Sequence, residues 1–283
     1  MTEPKTEFRG WKIPGPIPPG ALGHGPAVEP DETLDALGGH FRIFQLKNGH
    51  RFSTDDILTA WYGTSFAPTV RIALDLGSGI GTVATLAAWR TPGARFVTVE
   101  AQDQSIALAR KSMQWNGLNE RFDLRHGDFR DPSVLGSEEV FDLVLGSPPY
   151  FPQGTGIESD HPQKIACRFE LRGDIRDYCQ VASEHLGPGG LFACVFPVNP
   201  PEQHDRVRAA AAAVGLVIVR WRPVIFREPE PPLIGLFAMM RATDLPDWMR
   251  TRTWTEPPLI IRDQSGAIHP EYSAVKLSFG FPP

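Results

Sequence analysis

The chain has 283 residues, with 28 lysines and arginines against 33 aspartates and glutamates, and carries a formal net charge of −5. Its 41% hydrophobic and 22% charged residues are typical of a globular protein and exclude a disordered or fibrous one. The longest apolar runs, such as Leu233–Met240, are far shorter than the ~20 residues that cross a bilayer, and no signal peptide is recognisable. We therefore expect a cytoplasmic protein that does not enter a membrane, either a monomer or a small homo-oligomer.

The cysteines and histidines give no support for a metal site. The three cysteines, Cys167, Cys179 and Cys194, have spacings that match neither a disulfide framework nor a zinc-binding motif. The histidines are scattered through the chain without a metal-binding spacing. We expect free thiols and no metal cofactor.

The first 30 residues differ from the rest in composition. They contain seven prolines and five glycines, which exclude a long helix or a central strand. The prediction for residues 1–30 is either a disordered tail or an extended N-terminal arm, for which Trp11 and Ile13 would be the docking residues, followed by one domain over residues 31–283.

The domain begins with irregular elements and continues with alternating strands and helices. Thr33–Leu37 is short and amphipathic, Phe41–Leu46 alternates as a strand does, and Ser53 or Thr54 can cap a helix that continues through Trp61. Four further segments have helical spacing: Val83–Trp89, Ile106–Trp115, Ile175–His185 and Val207–Val214. Seven apolar runs are predicted as strands: Ile72–Leu76, Phe96–Val99, Phe122–Arg125, Phe141–Leu145, Leu191–Phe196, Leu216–Trp221 and Leu233–Met240.

Strands separated by helices predict a parallel sheet that is covered on both faces. The last two strands are separated by the proline-rich residues 222–232, which exclude a helix, so these two strands should be antiparallel neighbours. The predicted fold class is α/β, with a Rossmann-like, seven-stranded, mostly parallel sheet whose last strand is antiparallel.

A glycine-rich turn follows the first of the seven strands, in the run Asp75-Leu76-Gly77-Ser78-Gly79-Ile80-Gly81. Glycine at 77 and 79 allows a tight turn and a close approach of the backbone to a ligand. The spacing differs from that of a dinucleotide loop, and an anion-binding loop would gain little from the preceding carboxylate. A ligand with an amino group would gain a charge-assisted hydrogen bond from Asp75. The pattern predicts S-adenosylmethionine, with Asp75, Gly77, Ser78 and Gly79 as binding residues.

Acidic residues also end the next two strands. Glu100, followed by Ala101, lies where a carboxylate can accept hydrogen bonds from both hydroxyls of a ribose. Asp128 can accept the adenine amine, and Phe129 can stack on the adenine ring. Because the carboxyl ends of parallel strands meet at one edge of a sheet, these residues and Asp75 should surround one cofactor.

The fourth strand runs directly into Ser147-Pro148-Pro149-Tyr150-Phe151. The two prolines stiffen the backbone and remove two amide donors, which leaves carbonyls such as that of Pro148 to accept hydrogen bonds from an amine. Two acceptors would orient the nitrogen lone pair and favour the positive charge that develops on it. The pattern predicts methylation of an exocyclic amine, with residues 147–150 catalytic, Ser147 also beside the cofactor, and Tyr150 and Phe151 against the substrate.

The chain resembles the class I, Rossmann-like methyltransferases with an Asn/Asp/Ser-Pro-Pro-Tyr/Phe/Trp signature. Within that group it is most similar to the bacterial valine-tRNA adenine-N6 methyltransferases, over about residues 31–275. Four local matches support this: Thr33-Leu34-Asp35 with Phe44-Gln45 and the run from Gly49 to Asp55, the glycine loop, the run from Ser147 to Phe151, and Arg168-Phe169-Glu170.

The resemblance implies S-adenosylmethionine as cofactor, Asp55 beside it, and Arg51 bordering the substrate. Two positions depart from the family pattern. Ser147 replaces the usual asparagine and is similar in this to cytosine-N4 DNA methyltransferases, and His50 replaces a tyrosine.

Three hypotheses remain open from the sequence. The leading one is methylation of an exocyclic amine in RNA, with adenine N6 of tRNA as the target and a base that is splayed out of its stack. The second is methylation of a protein glutamine or a small-molecule amine, which fits the acidic net charge. The third is a module that binds the cofactor without catalysis.

Overall fold

The computed structural model describes residues 6–152 and 161–282. A central nine-stranded sheet carries helices on both faces, with one apolar core on each side. Within the described residues no helix combines the length and the hydropathy that spanning a bilayer requires.

The strands and helices alternate through the middle of the chain. The strands are β1 (Glu7–Phe8), β2 (Trp11–Lys12), β3 (Glu32–Gly38), β4 (Phe41–Leu46), β5 (Ile72–Leu76), β6 (Arg95–Glu100), β7 (Phe122–His126), β8 (Phe141–Gly146), β9 (Leu186–Pro197), β10 (Leu216–Ile225), β11 (Ile234–Arg241), β12 (Trp254–Thr255) and β13 (Leu259–Ile260). The helices are α1 (Thr54–Phe66), α2 (Thr82–Arg90), α3 (Asp103–Asn116), α4 (Pro162–Arg168), α5 (Ile175–His185), α6 (Pro201–Ala213) and α7 (Pro270–Leu277). Short 3₁₀ turns occupy Pro19–Leu22, Asn119–Arg121, Ala242–Asp244 and Asp247–Met249.

The central sheet has the strand order β12-β10-β11-β9-β8-β5-β6-β7, and β13 also pairs with β10. Strands β5 to β10 run parallel to one another, whereas β11 is antiparallel to both of its neighbours. The seven predicted strands are β5 to β11, so the Rossmann-like fold and the reversed last strand are confirmed. The two-residue strands β12 and β13 extend this sheet beyond the prediction.

Two elements differ in type or in bounds from what the sequence pattern predicts. The amphipathic segment at residues 33–37 lies in β3, which forms an antiparallel hairpin with β4. Strand β9 begins at Leu186, directly after α5, so the run of residues 187–190 lies within the strand. A Cβ at Gly190 would come within 2.9 Å of the Phe141 carbonyl oxygen, so glycine allows the close approach of β9 to β8.

Residues 1–5 of the N-terminal arm are outside the described part of the chain. The described residues of the arm lie against the domain. Its strands β1 and β2 form a small hairpin. Beyond the hairpin, the ring of Trp89 contacts Gly15 and the ring of Trp115 contacts Gly20 and Gly25 so closely that a Cβ would overlap them. The carbonyl of Ile13 hydrogen-bonds the His40 ring nitrogen over 3.1 Å. Glycines thus let this arm follow the surface formed by α2 and α3.

Candidate active site

A cleft of about 540 Å³ opens at the carboxyl ends of β5, β6 and β8. It brings together every site residue expected from the sequence except Arg51: Asp55, Asp75, Gly77, Ser78, Gly79, Glu100, Ala101, Asp128, Phe129, Ser147, Pro148, Pro149, Tyr150 and Phe151. The fold therefore concentrates motifs that are far apart in the chain.

The glycine loop connects β5 to α2. Gly77 and Gly79 have φ values of +61° and +56°, in the left-handed region that favours glycine. A Cβ on Gly77 would overlap the hydroxyl of Tyr178, whereas Gly79 faces open space. The loop is thus tightly packed at one glycine and open toward the cleft at the other.

Asp75 fixes the loop from within the protein. Its side chain is 1% exposed, and Oδ2 accepts a hydrogen bond from the Ala84 amide in the first turns of α2 over 3.1 Å. Burial raises the pKa of Asp75 well above its ordinary value, and the nearby Asp56 and Glu100 raise it further. A cation bound in the cleft would relieve this clustering of carboxylates.

Glu100 joins the glycine loop to the end of β6. Its Oε2 accepts from the Gly79 amide and its Oε1 from the Gln102 amide, each over 2.7 Å. Burial raises the pKa of Glu100, while these backbone hydrogen bonds lower it. Each oxygen has a second lone pair that remains able to accept a ligand hydroxyl.

Asp128 and Phe129 line the cleft beyond β7. Arg130 donates to both oxygens of Asp128, at 2.9 Å and 2.6 Å, and this pairing lowers the pKa of Asp128. Phe129 is 6% exposed, and its ring packs edge-on against Tyr178 with the centroids 4.7 Å apart. That Asp128 and Phe129 contact the adenine of the cofactor remains a prediction.

The residues present fit S-adenosylmethionine. The Ser78 hydroxyl is buried in the glycine loop and has no hydrogen-bond partner in the part of the chain that the structure describes, as expected of a group that a ligand completes. Buried carboxylates from three elements meet the same cleft, which suits a ligand that carries cationic groups.

Ser147-Pro148-Pro149-Tyr150 continues from β8 along the cleft wall. The amides of Tyr150 and Phe151 both donate to the Arg168 carbonyl, over 3.2 and 3.1 Å, and the Glu170 amide donates to the Phe151 carbonyl over 2.9 Å. The end of α4 therefore holds the Pro-Pro-Tyr run in place through the segment Arg168-Phe169-Glu170.

The side chain of Tyr150 is held from the opposite wall. Its hydroxyl donates to Asp55 Oδ2 over 2.5 Å, and its ring packs edge-on against Phe196 at 5.9 Å. The Ser147 hydroxyl also hydrogen-bonds Tyr150. Burial raises the pKa of Asp55 to about 6, although the bond from Tyr150 opposes this.

Asp55 reaches the cleft because α1 begins beside it. Ser53 caps the helix, with its Oγ accepting from the Asp55 amide over 3.2 Å and its own amide donating to Asp56 Oδ2 over 2.8 Å. This capping box places both carboxylates in the first turn. Burial raises the pKa of Asp56 to about 6 as well.

Comparison with known proteins agrees with this geometry. A family model described as "Methyltransferase small domain" matches residues 57–168. A Porphyromonas gingivalis protein named tRNA1(Val) (adenine(37)-N6)-methyltransferase is 28% identical over 239 residues, which cover 82% of this chain and 89% of that protein. A protein of the same name from Shewanella sp. (strain MR-4) is 32% identical over 182 residues, which cover 64% of this chain and 73% of that protein. The chain belongs to the class I methyltransferases.

A solved structure supports the fold of this methyltransferase. The crystal structure of an Agrobacterium tumefaciens protein described as a predicted O-methyltransferase superposes with a TM-score of 0.59 at 18% identity, over 80% of this chain and 96% of the other. This likeness confirms the fold alone, whereas the family model and the curated relatives confirm the expected family and, with it, the cofactor S-adenosylmethionine.

Arg51 is the one expected site residue that lies outside the methyltransferase cleft. Its guanidinium pairs with Asp35 over 2.8 Å and also donates to Thr33 over 3.0 Å. Asp35 accepts a further hydrogen bond from Gln45, whose oxygen accepts from the Phe52 amide. The matched segments around residues 33–35 and 45 therefore brace the loop that leads into α1.

Sequence reasoning did not single out three of the residues that line the cleft, and it noted three others without expecting them in the site: Asp56, Gln102 and Arg172, and then His50, Cys167 and Arg168. The Ser-x-x-Asp spacing of a capping box could have identified Asp56. Burial raises the pKa of Cys167 to about 12, so this residue is a thiol rather than a nucleophilic thiolate. The exposed Arg168 and Arg172 line the cleft and reach it through tertiary packing alone.

Proposed function

We propose that this methyltransferase methylates an exocyclic amine of an RNA base, adenine N6 in a cytoplasmic tRNA. The observation that carries the proposal is the position of Ser147-Pro148-Pro149-Tyr150 on the wall of the same cleft as the glycine loop. A rigid pair of acceptors and an aromatic ring are thus present where a planar amine would meet the cofactor.

The roles of the residues follow from this arrangement. The Pro148 carbonyl and the Ser147 hydroxyl would accept hydrogen bonds from the two amine hydrogens and turn the nitrogen lone pair toward the cofactor. The ring of Tyr150 would stack on the base. Asp55, Asp56, Asp75, Ser78 and Glu100 would hold S-adenosylmethionine, which supplies an electrophilic methyl group when bound.

No strong general base is required of the protein. The same two acceptors that hold the amine stabilise the positive charge that grows on nitrogen as the new bond forms. The methylated nitrogen then loses its proton to solvent. Asp55 is already engaged with Tyr150 and serves to position that ring.

The choice of tRNA rests on the relatives. Both relatives described above carry names that specify adenine 37 of tRNA1(Val). The volume of the cleft, about 540 Å³, is compatible with a base that is splayed out of a loop, which is how single-stranded RNA presents its edges.

A protein glutamine is the second candidate substrate. Among the residues that the structure describes, five carboxylates but only two arginines line the cleft: Asp55, Asp56, Asp75, Glu100 and Asp128 against Arg168 and Arg172. Such a lining favours a neutral side-chain amide over a phosphate-bearing chain.

The deciding experiment incubates the purified protein with methyl-labelled S-adenosylmethionine and separate pools of tRNA, ribosomal RNA, DNA and unmodified cell protein. Products are then digested to nucleosides or amino acids. Label in N6-methyladenosine from tRNA is the expected result. Label in N4-methylcytosine would change the base, and label in protein alone would overturn the RNA proposal.

A further inference from the structure

A second groove, of about 700 Å³, adjoins the active-site cleft at the start of α1. Ser53 lines both, and Thr54 and Ile57 face the groove where Asp55 and Asp56 face the cleft. The groove is therefore continuous with the place where the target base would enter.

The walls of the groove come from the turn after β10, the segment after β13, and α7 with the residues behind it. The Tyr272 hydroxyl lies 3.5 Å from Thr54 Oγ1 and joins α7 to α1. Since β10 runs parallel to β9, the turn after β10 lies at the same edge of the sheet as the cleft. The groove and the active-site cleft thus form one surface at the edge of the sheet where the parallel strands end.

The charge of the groove is opposite to that of the cleft. Arg227, Arg262 and Lys276 line it, and Glu230 is the one acidic residue among the described residues of its lining, although the whole chain has a net charge of −5. None of the three cations forms an ion pair with a carboxylate within the described ranges 6–152 and 161–282. The guanidinium of Arg227 is exposed and has no hydrogen bond to any residue in those ranges.

Aromatic side chains lie between these cations. Phe52, Phe226 and Phe281 are half-buried and line the groove with Tyr272. The Lys276 amine lies 5.7 Å from the centre of the Phe281 ring, which is a cation–π arrangement. Cations that contact phosphates, alternating with rings on which bases stack, are the two components of single-stranded nucleic-acid sites.

We propose that this groove binds the single-stranded RNA next to the target nucleotide. The inference rests on the proposed function and adds to it the surface that holds the substrate. Arg227, Arg262 and Lys276 would contact the phosphates, and Phe226 or Phe281 would stack on a neighbouring base. A chain with an acidic cleft needs such a local basic surface, because phosphate contacts supply most of the affinity for RNA.

The test is a double variant, Arg227→Gln with Lys276→Gln, which removes two charges and keeps an unbranched, polar side chain at both positions. The matched control, Arg95→Gln with Arg110→Gln, removes two exposed charges that line neither cavity. Both proteins are titrated with an anticodon stem-loop RNA at several salt concentrations. The cofactor Kd of each variant reports whether its cleft is folded.

We expect the groove variant to bind this RNA at least tenfold more weakly and to show a higher KM for it. Its plot of log affinity against log salt should lose about 1 to 1.5 units of slope, since each single-strand phosphate contact contributes about 0.7. The control should remain within twofold of the wild type. Equal affinity in the groove variant, or an equal loss in the control, would overturn the inference and leave the methylation proposal standing.

A second measurement does not depend on the variants. The wild-type protein is photo-crosslinked to the same RNA carrying 4-thiouridine beside the target, and the linked peptides are identified by mass spectrometry. Crosslinks to peptides that contain Phe226, Tyr272 or Phe281 support the groove. Trp248 and Trp254 are exposed, and Trp248 follows β11 at the opposite edge of the sheet. Crosslinks confined to these two tryptophans would overturn the groove proposal. Labelling of protein alone in the product experiment would overturn both proposals together.

Discussion

The Tyr150 hydroxyl donates a hydrogen bond to Asp55 Oδ2 over 2.5 Å, although the two residues are 95 positions apart in the chain. The bond joins the first turn of α1 to the run that follows β8. It holds the tyrosine ring before any substrate arrives, which reduces the entropy that binding must otherwise remove. The same bond supplies a hydrogen-bond donor to the Asp55 carboxylate, so this one contact both positions the ring and stabilises the fold locally.

We predict that the two roles of Tyr150 separate in two variants. Tyr150→Phe keeps the ring and removes the hydroxyl, so Asp55 loses its donor and the free energy of unfolding should fall by about 1–3 kcal/mol. Its kcat/KM for RNA should fall less than tenfold. Tyr150→Ala removes the stacking surface, which is worth about 1–3 kcal/mol per base, and should lower kcat/KM by about 10- to 100-fold.

Urea unfolding and methyl-transfer kinetics measure these effects, with the cofactor Kd as the control for an intact cleft. Full methylation by Tyr150→Ala with normal cofactor binding would exclude a stacking role. A Tyr150→Phe variant as inactive as Tyr150→Ala would show that the hydroxyl, rather than the ring, determines the rate.

Local patterns in the sequence were sufficient to predict the strands of the sheet and the position of the motifs at the strand ends. The turn after Leu76 and the run from Ser147 to Tyr150 each depend on residues that are adjacent in the chain, and the parallel sheet brings them to one edge. The N-terminal arm has no such periodicity: its path depends on contacts of glycines with Trp89 and Trp115, which are distant in sequence.

Residues that enter the cleft through long-range packing left no local signal. Arg172 follows α4 and is recognisable only once that helix lies against the cleft. Arg51 illustrates the reverse: its position in a matched motif suggested the substrate, but Asp35 in the β3–β4 hairpin lies close enough to pair with it. Spacing along the chain does not show which of two nearby partners a long side chain takes.

Gly77 should tolerate no side chain. We predict that Gly77→Ala lowers stability and weakens cofactor binding at least tenfold, because the residue has φ +61° and its Cβ would overlap the Tyr178 hydroxyl. The control is Gly93→Ala, where a Cβ meets nothing within 4 Å and φ is not positive. Calorimetric titration with S-adenosylmethionine measures the difference. Equal cofactor affinity in both variants would show that the loop can move away from Tyr178.

Asp56 should make stability depend on pH. Its pKa is raised from 3.8 to about 6 by burial, so the folded protein binds more protons than the unfolded chain between these values, and the stability contributed by this group falls as pH rises from about 4 to about 6. Asp56→Asn keeps an acceptor for the Ser53 amide and does not ionise. The variant should exceed the wild type by about 3 kcal/mol at pH 7.5, from about 1.36 kcal/mol for each unit of pKa, and by nothing near pH 4.

Urea unfolding at both pH values measures this, with the exposed Glu138→Gln variant as the matched control. A gain in Asp56→Asn of the same size at pH 4 and pH 7.5 would mean that the carboxylate does not titrate differently on folding. Weaker cofactor binding in the stabilised variant would show that the Asp56 carboxylate lowers stability but contributes to cofactor binding.

Ser147 should influence both the rate and the choice of base. Ser147→Ala removes one of the two acceptors for the amine, and loss of a hydrogen bond to a group that becomes charged, worth about 1.5–3 kcal/mol, should lower kcat/KM by about 10- to 100-fold. Ser147→Asn places an amide oxygen at this position and should retain more activity on adenine than Ser147→Ala does. RNAs that differ only by adenine or cytosine at the target position, digested to nucleosides after labelling, measure both effects.

The two variants also test whether the Pro148 carbonyl can act alone. It would be the sole remaining acceptor in Ser147→Ala, and a backbone carbonyl between two prolines cannot move to compensate. Unchanged methylation by Ser147→Ala would therefore assign the positioning of the amine to Pro148 and Tyr150. A shift from adenine to cytosine, or the reverse, in Ser147→Asn at normal cofactor affinity would show that the length of this side chain selects the base.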